Sequence, residues 1–201
     1  MNVLCLDLEG VLVPEVWQAV AQATGVEALM KTTRDIPVYD DLMTYRLGLL
    51  DEHGITLADI QNEIAKLEPL AGAREFLDWA RGEFQVAIIS DTFYEFADPL
   101  MVQLGRPLIL CHRLAVDEGR VVGYHIRQED PKRASVRAFK SLRYQVLAAG
   151  DSYNDISMLE EADRGFFFCA PATVLEEYPQ YPLTSSYDEL KAALVSAAAT
   201  L

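Results

Sequence analysis

The chain is short of positive charge, of cysteine and of long apolar runs, and each shortage removes a class of function. Only 17 lysines and arginines face 31 aspartates and glutamates in 201 residues, for a net charge of −14. Clustered cations draw in nucleic acids and anionic membrane surfaces, so a chain without a basic field is not expected to bind either. An anionic small molecule is acceptable only where local cations receive it. No apolar run approaches the ~20 residues of a membrane-spanning helix. Asp7 also interrupts what would be the apolar core of a secretory leader. The three cysteines, Cys5, Cys111 and Cys169, are odd in number and embedded in strand-like runs. That pattern reads as buried free thiols in a reducing cytoplasm rather than as a disulfide framework or a metal site. His53, His112 and His125 lack metal-ligand spacing and read as surface or capping residues. Repeats and low-complexity linkers are absent, and half of the residues are apolar, so one domain with a small insertion is expected.

What the chain does have is concentrated in its first strand. Val3-Leu4-Cys5-Leu6 is an unbroken apolar run of the kind buried on both faces of a parallel sheet. It delivers Asp7 and Glu9, two carboxylates two residues apart, before Gly10 releases the backbone. Strand alternation predicts that both acids lie on one face. The carboxyl ends of strands are where open α/β sheets bind ligands. Burying two acids is costly unless a cation neutralises them, and a magnesium ion, which takes hard oxygen ligands, suits the pair.

The rest of the chain reads as follows. Residues 14–71 are all helical, from a first helix at Glu15–Thr24 to one opened by a Thr56–Asp59 capping box. This segment is predicted to be a small cap inserted into a core made of residues 1–13 and 72–201. Strand–helix alternation resumes at Gly72, with strands at Gln85–Asp91, Leu108–Cys111, Tyr144–Gly150 and Phe166–Ala170. A β-hairpin turns at Asp117-Glu118-Gly119-Arg120, and a helix from Pro131 is expected to bury Val136, Phe139 and Leu142. Right-handed crossovers then give an α/β fold with a doubly wound, Rossmann-like parallel sheet. Three strands end in oxygen-bearing side chains: Asp7 with Glu9, Ser90 with Asp91, and Asp151, followed by Asn154 and Asp155. Lys132 is the one cation near a helix start that could meet them.

In that order and spacing the chain resembles the haloacid dehalogenase superfamily of phosphotransferases, and within it the phosphoserine phosphatase branch. Asp7-Leu8-Glu9-Gly10-Val11 is similar to its first motif, with Glu9 in place of a second aspartate. Ser90-Asp91-Thr92 is similar to the second, Lys132 to the third, and Gly150-Asp151-Ser152-Tyr153-Asn154-Asp155 to the fourth. The Asp-Leu-Glu-Gly-Val variant, the Ser-Asp-Thr motif and the string Thr32-Thr33-Arg34-Asp35-Ile36-Pro37 resemble branch members that pass the phosphoryl group to homoserine. The resemblance implies magnesium-dependent phosphoryl transfer from phosphoserine, through an aspartyl-phosphate, to water and to homoserine. It implies Asp7 as nucleophile and Glu9 as acid/base. Magnesium would be held by Asp7, the Glu9 carbonyl and Asp151, with Asp155 behind them. Ser90, Lys132 and the backbone N–H groups of Asp91 and Gly10 would receive the phosphoryl oxygens, with Asn154 as a further substrate contact. Glu15 would take the substrate ammonium and Arg46 its carboxylate. A homodimer is compatible with an apolar helix in the insertion. The competing readings are a plain phosphoserine phosphatase or other small-metabolite phosphatase, a receiver-like phospho-acceptor, and an inactive binding module.

Overall fold

The computed structural model describes residues 1–32, 35–36 and 38–201. Thr33, Arg34 and Pro37, which belong to the string compared above, lie outside the described residues.

The apolar opening run forms β1 (Asn2–Leu6), whose residues from Val3 to Leu6 are buried. Its neighbours are β2 (Gln85–Phe93) and β5 (Gln145–Gly150), both parallel to it. With β3 (Leu108–Asp117), β4 (Arg120–His125), β6 (Arg164–Phe168) and β7 (Leu183–Thr184), the described residues form a sheet in the order β4-β3-β2-β1-β5-β6-β7. Among the described residues only the β3–β4 pair is antiparallel. The chain winds outward from β1 in both directions, so the sheet is doubly wound and its switch point falls beside β1. A crevice at such a point is the usual ligand site of an open α/β sheet.

The helical insertion contains α1 (Val16–Thr24), α2 (Tyr39–Glu52) and α3 (Leu57–Ile64). Gly25, in the left-handed region at φ 70°, ends α1 as a helix C-cap glycine should. The capping box is present in full: Thr56 Oγ accepts from the Asp59 N–H, and the Asp59 carboxylate accepts from the Thr56 N–H. After the insertion, α4 (Ala73–Glu83) buries Phe76, Leu77 and Ala80, and α5 (Tyr94–Gln103) buries Phe96 and Leu100 despite an internal Pro99. Later helices are α6 (Pro131–Ser141), α7 (Ile156–Glu161), α8 (Ala172–Glu177) and α9 (Tyr187–Ala198). Two hydrophobic layers result. One joins the first face of the sheet to α4, α5, α9 and the insertion, and the other packs α6 and α7 on the opposite face. Among the described residues no helix is long and apolar enough to cross a membrane.

Several expectations need correction. The third strand and the first strand of the hairpin are one continuous element, because Leu108 to Asp117 pairs with β2 on one edge and then with β4 on the other. Leu142 is 68 % exposed rather than buried, since α6 ends at Ser141 and the chain turns away from the sheet. Asp40 and Asp41, acids suited to cap the helix that follows, do not cap α2; Val38 holds that position, and Asp40 accepts a hydrogen bond from Tyr124 of the hairpin. Cys5 and Cys111 are buried free thiols, but Cys169 is exposed at the end of β6. The short β7 and α8 carry no sequence periodicity that would announce them.

Candidate active site

β1 stops at Leu6, and Asp7 is the first residue past it. The Asp7 N–H still reaches the carbonyl of Ala149 on β5 at 3.0 Å, so the strand pairing fixes where the side chain starts. Residues 8–13 then coil tightly, with the N–H groups of Leu12 and Val13 both donating to the Leu8 carbonyl. Strand alternation therefore does not set Glu9. The coil turns Glu9 toward the start of α1, where its Oε2 accepts from the Val16 N–H at 3.0 Å. Gly10 permits the coil at φ +77°, and a Cβ there would lie 2.5 Å from Asp151 Cγ. Its N–H donates to the Val13 carbonyl at 2.9 Å, which removes it from the expected set of phosphoryl donors.

Lys132 reaches Asp7 from the other side. Lys132, Ser135 and Val136 share the buried face of α6, the i, i+3, i+4 set that faces the sheet. The lysine is 2 % exposed, and its Nζ lies 3.1 Å from Asp7, 2.6 Å from Asp155 and 3.7 Å from Asp91. Burial works against its charge, yet the carboxylates of Asp155, Asp7 and Asp91 hold its pKa well above the ordinary value. Asp155 is fully buried and uses both oxygens: Oδ1 accepts from Lys132, and Oδ2 accepts from the N–H groups of Asp151 at 2.9 Å and Ser152 at 3.1 Å. Asp155 thus fastens the loop that presents Asp151. Each of Asp7, Asp151 and Asp155 offers an oxygen within 4.8 Å of the others. Burial, then the neighbouring Asp155, pushes the Asp7 carboxyl well up and that of Asp151 up to about 7. Three converging carboxylates with one lysine among them have the chemistry of a hard-cation site.

The second strand brings the remaining polar groups. Ser90 is buried, and its Oγ accepts from the Thr92 N–H at 3.2 Å, which leaves its own proton to donate into the crevice. Asp91 is not presented through its backbone alone. Its Oδ2 accepts from Asn154 Nδ2 at 3.0 Å, and its Oδ1 lies 3.7 Å from Nε2 of His112. Burial opposes its charge, but Lys132, His112 and Asn154 lower its pKa to about 2. His112 was expected as a surface or capping residue; it is 3 % exposed and accepts from the Arg127 N–H through Nδ1. Nothing in its local sequence signals that position, which depends on β3 lying beside β2.

A cavity of about 350 Å³ opens above these groups and is walled on its far side by α1 and α2. It brings together Asp7, Glu9, Ser90, Asp91, Asp151 and Asn154 from the sheet with Glu15 and Arg46 from the insertion. Lys132 and Asp155 lie beneath its floor. Burial, then the adjacent Glu15 carboxylate, pushes Glu9 up to about 8. Arg46 is 8 % exposed rather than solvated, and burial lowers its pKa to about 10. Its Nη2 donates to the Lys31 carbonyl at 2.8 Å, while among the described residues its buried Nε has no partner. Trp17 and Tyr39 also line the cavity. Every candidate side chain named from the sequence thus lies in the cavity or directly under it, the Gly10 N–H being the exception among the expected groups; Trp17, Tyr39 and His112 are additions that side-chain type alone did not single out.

A doubly wound sheet with an acidic crevice at the switch point and a buried lysine defines the class. The chain matches the family model of haloacid dehalogenase-like hydrolases over residues 1–163, and it belongs to that family. It is 61 % identical over 198 residues, covering 98 % of this chain and 97 % of the other, to phosphoserine phosphatase ThrH of Pseudomonas aeruginosa. It is equally 61 % identical to a phosphoserine phosphatase of Pseudomonas syringae pv. tomato, covering 98 % of this chain and 84 % of that one. Among solved structures, a substrate-bound phosphoserine phosphatase complex matches with a TM-score of 0.78 at 20 % identity, over 96 % of this chain and 97 % of that one. A phosphoserine phosphatase from T. onnurineus matches at 0.75 and 27 %, over 94 % and 92 %.

Proposed function

We propose that this protein transfers the phosphoryl group of phosphoserine, through a phosphorylated Asp7, to water and to homoserine. The observation that carries the reading is Asp7 held against buried Lys132, in one cavity with Glu9, Glu15 and Arg46. The names of its two Pseudomonas relatives support phosphoserine as donor.

Asp7 attacks phosphorus as the serine oxygen leaves. Ser90 donates to a phosphoryl oxygen, and Lys132 offsets the negative charge gathered on Asp7 and the phosphoryl group. Glu9, with its pKa near 8, holds a proton at neutral pH and gives it to the departing alkoxide. It then takes one back from the incoming water or alcohol. Asp7, Asp151 and the Glu9 carbonyl would hold magnesium, with Asp155 steadying that set from behind. When bound, the ion supplies positive charge that lets a carboxylate approach a phosphate dianion. Asp91 and Asn154 brace one another beside the phosphoryl site. Residues 14–71 serve as a cap over a core made of 1–13 and 72–201. From that cap, Glu15 meets the ammonium and Arg46 the carboxylate of the amino acid, the latter by the two-pronged pairing that suits a guanidinium. Buried Arg46 Nε, without a partner among the described residues, is a donor left over for that carboxylate.

The test is incubation with phosphoserine and magnesium, with and without homoserine, and identification of the products by phosphorus and proton NMR. Serine and inorganic phosphate, joined by phosphohomoserine when homoserine is present, are expected. Phosphate alone in both reactions reduces the protein to a phosphatase, and the absence of serine release refutes the donor.

A further inference from the structure

The carboxylate-binding arginine is held by an aromatic residue to which no role has been assigned. The Arg46 guanidinium lies over the Trp17 ring, with Cζ 4.5 Å from the ring centroid. Trp17 is pinned in turn: the Phe96 ring meets it edge-on at 5.3 Å, and Phe96 is fully buried on α5 of the core. The Lys31 carbonyl fixes one prong of the fork at 2.8 Å. Stacking on a ring face leaves the edge of a guanidinium, with all of its N–H groups, free to donate. One edge donor, Nε, has no partner among the described residues.

We propose that Trp17 is a specificity-positioning residue, whose ring face, together with the Lys31 carbonyl, holds the Arg46 fork ready for the carboxylate of an amino-acid phosphate. This rests on the reading of Arg46 given above. A free arginine must be immobilised when it binds, and a stacked one has already lost that freedom. The contribution therefore falls on substrate binding and not on the phosphoryl chemistry. It falls only on substrates that carry a carboxylate. It also ties recognition to the body of the protein, because the chain of contacts runs from α5 through α1 to α2.

The experiment compares phosphoserine with phosphoethanolamine, which keeps the ammonium and the phosphate ester but lacks the carboxylate. Trp17→Leu, Trp17→Phe, Arg46→Ala and the Trp17→Leu/Arg46→Ala double variant are measured on both. A cation–π contact at a partly desolvated site corresponds to about five- to tenfold in affinity. Trp17→Leu is expected to raise KM for phosphoserine by about that factor, with kcat changed less than twofold and a clearly smaller penalty on phosphoethanolamine. Trp17→Phe, which keeps a ring face, restores most of the loss. In the Arg46→Ala background Trp17→Leu adds no further discrimination, since the group it positions is gone. Equal losses on both esters, or a full Trp17→Leu effect in the Arg46→Ala background, overturn the proposal. So does an unchanged phosphoserine KM in Trp17→Leu while Arg46→Ala raises it, which leaves the substrate reading standing. An Arg46→Ala variant that treats both esters like the parent refutes the substrate reading itself, and the role of Trp17 with it.

Discussion

Asp155→Asn tests whether one buried carboxylate holds the site together. The side chain accepts three hydrogen bonds: from Lys132 through Oδ1, and from the Asp151 and Ser152 N–H groups through Oδ2. An amide of the same shape has only one acceptor oxygen. If that oxygen stays on the two backbone N–H groups, the new NH₂ faces the Lys132 ammonium, donor against donor. The charge-assisted bond lost there corresponds to about 1.5–3 kcal/mol, and the lysine left short of a partner adds to it. The opposite rotamer keeps Lys132 paired but leaves two N–H groups without acceptors, at about 1–3 kcal/mol each. Removing a negative charge also relieves repulsion on Asp7 and Asp151, which offsets part of that loss. The net expectation is a loss of about 2–3 kcal/mol. In a chain of this length each kcal/mol moves Tm by about 2–4 °C. Calorimetry should therefore show Asp155→Asn melting about 4–12 °C below the parent. Its apparent magnesium affinity should fall about 10–100-fold, the usual effect of losing a group that orients a metal ligand. A Tm within 2 °C of the parent, with unchanged magnesium dependence, would refute the reasoning.

Three further expectations follow from the same geometry. Asp7→Asn should abolish acid-stable labelling of the protein by phosphoserine and lower turnover by at least about a thousandfold, while the fold, followed by circular dichroism, is retained; residual turnover within tenfold of the parent would exclude Asp7 as the nucleophile. The Asp151 carboxyl is raised to about 7 in the folded protein, so between the usual carboxylate value and pH 7 the native state binds more protons than the unfolded one. Stability without metal should then fall as pH rises through that window, and the Tm gain from magnesium should be larger at pH 8 than at pH 5.5; an equal gain at both would contradict the assignment. Glu9→Asp shortens the acid/base by one bond and withdraws it from the Val16 N–H, so the ratio of phosphohomoserine to inorganic phosphate should change. An unchanged ratio would show that the length of Glu9 does not govern the choice of acceptor.

The family and the architecture were legible in the sequence because both rest on local physics. An apolar run that ends abruptly in Asp7, another that ends in Ser90 and Asp91, and a third that ends in Asp151 are strands whose tips must share a crevice once the sheet winds in parallel. The Thr56 capping box and the Gly25 stop likewise need only neighbouring residues. The departures occur where a non-local contact decides. Strand alternation could not orient Glu9, since β1 ends at Leu6 and a coil closed by the Leu8 carbonyl aims the side chain instead. His112 is an ordinary strand residue in sequence, and only the pairing of β3 with β2 buries it against Asp91. Trp17 is read as packing until α2 lays Arg46 across its face. Lys132 is in its turn the clearest division of labour. The sequence supplied a lone cation at a helix start, but the contacts that hold its charge come from β1, β2 and the loop after β5, and tertiary structure alone brings those three carboxylates to one ammonium.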